Sequence, residues 1–83
     1  MNAFTLPDLM EILTEKAGLP RDAVSTDGSA TLTDVGLDSL AFLQLQAEIA
    51  DRYGFELEDA RPDDAFARMV ERINENLSRR EAV

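Results

Sequence analysis

The chain has 83 residues, with 17 acidic and 8 basic side chains, a formal net charge of −9, and neither cysteine nor histidine. A chain of this length builds one small core. Without cysteine and histidine it lacks a disulfide framework, the commonest metal ligands and the side chain most used as a general base near neutral pH. These features predict a single domain over residues 1–83 that performs no catalysis of its own and holds no metal by itself.

The negative charge is concentrated in residues 1–60, which hold twelve carboxylates and three basic side chains, whereas residues 61–83 hold five of each. A field of this sign repels nucleic-acid phosphate and anionic lipid and speeds encounters with basic protein surfaces. Solubility alone is the alternative explanation. No segment approaches the roughly 20 apolar residues of a membrane span, and no basic leader is visible. We therefore expect a cytoplasmic protein with no nucleic-acid or membrane partner.

The first helix is predicted from about Leu6 to Ala17, where apolar residues recur at three- and four-residue spacings. Thr5 and Asp8 are spaced as in a capping box at its start. Gly18 is typical of the left-handed residue that ends a helix.

A long connection follows, from Leu19 to about Asp38. Twenty residues are many for an unstructured loop in a small domain, so we expect apolar side chains to pin it to the core and a short helical turn near Arg21 to Val24. The side chains predicted to pack inward are Leu19, Val24, Leu32, Val35 and Leu37.

The second helix is predicted to begin at Ser39 and to end at Gly54. Its core stripe is Phe42, Leu45, Ile49 and Tyr53. Leu40, Leu43 and Ala47 fall to one side of that stripe. Two interpretations stay open for them: they are boundary residues that close the core, or they form an apolar ridge that binds partner proteins.

The last part of the chain predicts a short helix over Glu58–Arg61 and a final helix capped by Asp63 or Asp64. The core stripe of the final helix is Phe66, Met69, Val70, Ile73 and Leu77. A frayed tail is expected at about 79–83. The predicted fold is all-α, a small bundle of three main helices plus the short third helix, with a long loop between helices one and two.

The run Gly36-Leu37-Asp38-Ser39-Leu40 opens a helix after a long loop, in an acidic domain of about this size. In this setting it resembles the phosphopantetheine attachment motif of acyl carrier proteins, and the resemblance covers nearly the whole chain. The longer run from Val35 to Leu43, followed by Asp51-Arg52-Tyr53-Gly54, is most similar to the discrete carriers of bacterial type II (aromatic) polyketide synthases.

The resemblance implies that Ser39 accepts 4'-phosphopantetheine from coenzyme A, transferred by a separate phosphopantetheinyl transferase. The group would hold malonyl units and growing poly-β-ketoacyl chains as thioesters. Asp38 would contribute to the metal ion that accompanies coenzyme A in the transferase, with Gly36 and Leu40 in supporting positions. The implied partners are a ketosynthase/chain length factor, a malonyl transferase, and a ketoreductase or cyclase, acting on a monomeric carrier.

Two departures from the carriers of fatty acid synthesis bear on partner recognition and on the kind of acyl chain that is carried. Ala41 and Gln44 occupy the start of the motif helix, where those carriers place acidic residues. The residues predicted to dock partners are Leu43, Ala47, Glu48 and Asp51. The stretch between Leu57 and Phe66 is short, which fits polar poly-β-keto intermediates better than an enclosed saturated chain.

Alternatives remain at the level of function and of single residues. A fatty acid or peptidyl carrier has the same chemistry with other partners, and a non-carrier acidic helical adaptor would only bind a partner. The alternative for Ser39 is a plain helix cap, and for Asp38 a capping or solvated carboxylate. A hydrolytic role for Ser39 would need a base, and the chain has no histidine to serve as one.

Overall fold

Three α-helices make up most of the described part of the chain, residues 3–81, in the computed structural model. The helices are α1 (Leu6–Lys16), α2 (Ser39–Tyr53) and α3 (Phe66–Glu81). Side chains are described as far as Arg79, and residues 3–81 contain no β-strand. The predicted small all-α bundle is confirmed. No helix in this part of the chain is both long and apolar enough to cross a membrane.

The ends of α1 follow the local signals in the sequence. The Thr5 hydroxyl accepts a hydrogen bond from the Asp8 N–H (3.3 Å), and the Asp8 carboxylate accepts one from the Thr5 N–H (2.9 Å). This is a complete capping box. At the other end Gly18 is left-handed (φ 78°), and the Leu19 N–H donates to the Leu13 carbonyl (3.0 Å). Both predicted ends are confirmed to within one residue.

The core lies where one apolar face of each helix meets the others, and α1 contacts both α2 and α3. The spacing of these residues matches the helical period, so each helix buries one side and leaves the other in water. The predicted stripes on α2 and α3 are confirmed at their central positions. The buried side chains at the centre are Leu9, Ile12, Leu13, Phe42, Leu45, Ile49, Phe66, Met69 and Ile73.

The segment before α1 is held to α3 by one side-chain amide. The Phe4 N–H donates to Asn74 Oδ1, and Asn74 Nδ2 donates to the Phe4 carbonyl, both at 2.8 Å. The Phe4 side chain is buried in the core. Asn74 therefore satisfies both backbone polar groups of a residue whose side chain is out of contact with water.

The connection between α1 and α2 contains the predicted turn, a 3-10 helix at Arg21–Ala23. The predicted inward packing is confirmed for Leu19, Leu32, Val35 and Leu37. It is wrong for Val24, which is 44% exposed. Ala23, the last residue of the 3-10 helix, packs against the core instead, and the next side chain, Val24, lies in solvent.

The start of α3 is bonded by backbone carbonyls of the connection. The Phe66 N–H donates to the Ala30 carbonyl (2.9 Å) and the Ala67 N–H to the Gly28 carbonyl (2.8 Å). The predicted cap at Asp63 or Asp64 is wrong, because Ala65 is the residue that precedes the helix. The Asp64 carboxylate instead accepts the Arg61 N–H (2.9 Å) in the turn before it.

The segment from 55 to 65 contains bends and a turn, so the predicted short helix over Glu58–Arg61 is corrected. Four residues before Pro62 are too few to offset the cost of helix nucleation, and a residue that precedes proline disfavours helical backbone. Leu57 and Ala60 are buried, and Gln46 Nε2 donates to the Leu57 carbonyl (2.8 Å).

The end of α3 lies beyond the position predicted for it. The helix continues past Ser78 to Glu81. The last two residues of the predicted tail, 82 and 83, lie outside the described residues.

We expect Asn74→Ala to lower the free energy of unfolding by about 1–3 kcal/mol, because it leaves both backbone groups of Phe4 without partners. Urea unfolding followed by circular dichroism measures the change. The matched control is Asn76→Ala on the same helix. Its amide donates to the Arg72 carbonyl of α3, so the loss should be smaller. Equal losses in the two variants would contradict this role of Asn74.

Candidate functional site

A tight turn precedes α2. A 3-10 helix at Thr33–Val35 is followed by Gly36, which is left-handed at φ 84°. The Gly36 N–H donates to the Thr33 carbonyl (3.0 Å), and the Leu37 N–H donates to the Leu32 carbonyl (2.8 Å). A side chain at position 36 would strain this backbone, which explains why glycine stands there.

Asp38 is the N-cap of α2. Its carboxylate accepts a hydrogen bond from the Leu40 N–H and its carbonyl accepts one from the Ala41 N–H, both at 3.1 Å. Ser39 is therefore the first helical residue, and the alternative that it caps the helix is wrong. Asp38, by contrast, does cap the helix, as the alternative interpretation of this residue predicted.

The hydroxyl of Ser39 is exposed at the first position of α2. None of the hydrogen bonds between the described side chains involves it. The first turn of α2 contains no acidic side chain after the cap, so an anion bound to Ser39 would lie at the positive end of the helix dipole. An accessible, unbonded hydroxyl at a helix N-terminus fits the covalent attachment of a phosphodiester.

One face of α2 beside Ser39 is apolar and in solvent. Leu40 and Leu43 are each 59% exposed, and Ala47 is exposed on the same side of the helix. We call these three residues the α2 ridge. They do not close the core, which α2 contacts through its opposite face. The interpretation that they close the core is therefore wrong, and the binding of partner proteins by this ridge stays a prediction.

The two carboxylates predicted to dock partners differ in their surroundings. Glu48 is bonded to Arg52, and its side chain is only 15% exposed. Arg52 Nη2 also lies 3.6 Å from Oε2 of Glu15 on α1. The hydrogen bond with Glu48 raises the pKa of Arg52 above its usual value. Asp51 is exposed and follows Ala47 by four residues, so it continues the line of the α2 ridge.

The structure thus brings Leu43, Ala47 and Asp51 together along one line of α2 and turns Glu48 toward Arg52. Arg52 is the residue that sequence reasoning missed. The spacing of Glu48 and Arg52, four residues apart on a predicted helix, was the signal for this ion pair.

No group of three or more acidic side chains in residues 3–79 lies close enough to hold a metal ion. Asp38 stands alone at the start of α2, with one carboxylate oxygen bonded to the backbone of Leu40. It could therefore provide one ligand to a metal ion whose remaining ligands come from elsewhere.

Comparison with known families adds the decisive observation. The family model for the phosphopantetheine attachment site matches residues 7–61, more than half of the chain. This range includes α1 from its second residue, the connection and all of α2. The chain belongs to this family. A search of curated proteins and a search of solved structures found no match.

Membership of the phosphopantetheine-attachment family makes the protein an acyl or peptidyl carrier with covalent 4'-phosphopantetheine as its cofactor. Carrier domains of this family tether their cargo and are generally not catalysts. They interact with a phosphopantetheinyl transferase and with synthase enzymes. The predicted carrier class and cofactor are confirmed; the polyketide subtype stays a prediction.

We expect Asp38→Ala to lower the free energy of unfolding by about 1 kcal/mol, because the Leu40 N–H loses its partner. Asp38→Asn should change it by only a few tenths, because asparagine caps a helix about as well as aspartate. Thermal unfolding of both variants measures the difference. Equal destabilisation would indicate that the charge of Asp38, and not the cap, stabilises α2.

Proposed function

We propose that Ser39 carries the 4'-phosphopantetheine group and that the protein is a cytoplasmic acyl carrier of a type II aromatic polyketide synthase. The observation that carries the proposal is the Ser39 hydroxyl, which is exposed at the first position of α2 and lies outside the internal hydrogen bonds. An enzyme can reach it without unfolding the bundle. When bound, the group supplies a terminal thiol that holds malonyl and poly-β-ketoacyl chains as thioesters.

In the attachment step, Ser39 Oγ forms a new bond to the phosphorus that carries the pantetheine portion of coenzyme A. The bond from that phosphorus to the bridging oxygen breaks, and adenosine 3',5'-bisphosphate leaves with the electron pair. The proton of the hydroxyl passes to a base of the transferase, because the carrier has no histidine and the carboxylate of Asp38 is bonded to the Leu40 N–H.

Asp38 has two separable roles in this proposal. One carboxylate oxygen caps α2 through the Leu40 N–H. The other oxygen is available to the metal ion that accompanies coenzyme A in the transferase. The cap fixes the first turn of the helix and with it the Ser39 hydroxyl. The metal ion would hold coenzyme A beside that hydroxyl, so both roles of Asp38 bring the reacting groups together.

Partners approach along the α2 ridge. Leu40, Leu43 and Ala47 offer an apolar contact, and Asp51 supplies one carboxylate at its far end. The paired Glu48 contributes little, because its charge is already balanced by Arg52. The charge of −9 steers basic enzyme surfaces toward the carrier over longer distances.

The polyketide assignment rests on the resemblance of the runs at Val35–Leu43 and Asp51–Gly54 to discrete aromatic polyketide carriers. It is supported by the irregular segment between Leu57 and Phe66, which offers little helical surface to enclose a saturated chain. A ketosynthase/chain length factor and a malonyl transferase are then the enzymes that extend and load it, followed by a ketoreductase or cyclase.

Incubation with coenzyme A and a phosphopantetheinyl transferase should add one phosphopantetheinyl mass to the wild type and none to Ser39→Ala, measured on the intact protein. Ser78→Ala is the matched control, because Ser78 is also an exposed helical serine. It should be modified like the wild type. Modification of Ser39→Ala, or none of the wild type, would reject Ser39 as the attachment residue.

Asp38→Asn should slow this modification by about ten- to hundredfold, because the amide weakens the metal contact while it keeps the cap. Initial rates over a range of magnesium concentrations measure the effect. Recovery of the rate at high magnesium would support the metal contact. A rate equal to that of the wild type would leave Asp38 with the capping role alone.

A further inference from the structure

A groove on the face formed by α1 and the connection lies outside the proposed attachment site. It has a volume of about 770 Å³ and runs between α1 and residues 21–26. None of its lining residues belongs to α2 or α3, so it is a separate surface from the α2 ridge. We call it the α1 groove.

The wall of the α1 groove is apolar. Leu6, Pro7 and Met10 line it from α1, and Val24 lines it from the connection. The Thr14 hydroxyl, also in the lining, donates to the Met10 carbonyl (2.8 Å) and is thus satisfied within its own helix. Val24 is one of three exposed large apolar side chains among the described residues, so an occupant would remove from water a side chain that the fold leaves uncovered.

The rim of the α1 groove is charged. Glu11 and Glu15 lie on the α1 side and Arg21 on the other. Glu15 already forms an ion pair with Arg52. Glu11 and Arg21 take part in none of the ion pairs between described residues. A second copy of this chain would bring a net charge of −9 against an equal charge, and an anionic lipid surface would meet the same charge.

We propose that the α1 groove binds an amphipathic helix of a partner protein. Its apolar side chains would cover Val24 and Leu6, and lysine or arginine side chains along one edge would face Glu11 and Glu15. A helix fits the space because α1 has 11 residues, about 16 Å in length, so three turns of a partner can lie alongside it. Residues 3–81 offer no strand edge to which an extended peptide could add.

The consequence for the carrier is a second attachment point for an enzyme. A partner held at the α1 groove leaves the α2 ridge and Ser39 free, because the groove shares no residue with them. Two weak contacts on one partner would raise the effective concentration of Ser39 at the enzyme without a tighter contact at the ridge itself.

The test titrates a synthetic helical peptide of roughly three turns, with leucines on one face and lysines along its edge, into the ¹⁵N-labelled full chain. The expected result is amide shifts confined to α1 and residues 21–26. Val24→Asp and Glu11→Lys should each raise the dissociation constant about tenfold or more. Both positions are exposed, and circular dichroism checks that each variant folds.

Two controls locate the contact. Leu43→Asp introduces the same charge on the α2 ridge and should leave the dissociation constant unchanged. A peptide with glutamates in place of the lysines should bind at least about tenfold more weakly. Shifts centred on the ridge, a loss of binding in Leu43→Asp alone, self-association of the chain without peptide, or no shifts with the lysine peptide would each overturn the proposal. The measurement needs no modification of Ser39, so its outcome is independent of the proposed attachment.

Discussion

The carbonyl groups of Gly28 and Ala30 accept hydrogen bonds from the first two N–H groups of α3, and the position of the proposed attachment site depends on these bonds. These carbonyl groups satisfy N–H groups at the start of α3 that a side-chain cap would otherwise satisfy. The same bonds hold the middle of the long connection against α3. The connection is therefore fixed at both ends and at its centre. Because its last residues form the turn into α2, the location of Ser39 follows from how α3 begins.

Features governed by neighbours in sequence could be predicted for this fold. The capping box of Thr5 and Asp8 and the left-handed Gly54 set helix ends through bonds spanning a few residues. The errors arose where distant parts of the chain meet. The start of α3 is bonded to residues more than thirty positions earlier, and no local pattern encodes that choice. The exception is the predicted helix over Glu58–Arg61, which fails for the local reason that four residues before Pro62 are too few to offset the cost of helix nucleation.

The candidate site also has features that the sequence predicts and features that only the structure shows. An exposed serine after an aspartate at a helix start is a local arrangement, so the proposed attachment residue Ser39 and its neighbour Asp38 could be predicted from the sequence. Which of the two caps the helix depends on the turn geometry at Gly36, and only the structure assigns it to Asp38. Glu48 was predicted as a docking residue because the start of the motif helix lacks acidic side chains and Glu48 lies further along it. In the proposed docking it contributes little, because it is paired with Arg52, which also lies 3.6 Å from Glu15 of α1.

Charge and apolar surface act over different distances in this carrier. The net charge of −9 raises the rate of encounter with basic enzymes, an effect that salt weakens. In the proposed docking, the α2 ridge, two leucines and an alanine, would bury little area and so limit how long each complex lasts. A carrier that visits several enzymes in turn needs this combination, because fast encounter with short residence lets one serine serve many active sites. The paired Glu48 fits the same requirement, since a second free carboxylate beside the ridge, in addition to Asp51, would strengthen every proposed complex with a basic partner and slow its release.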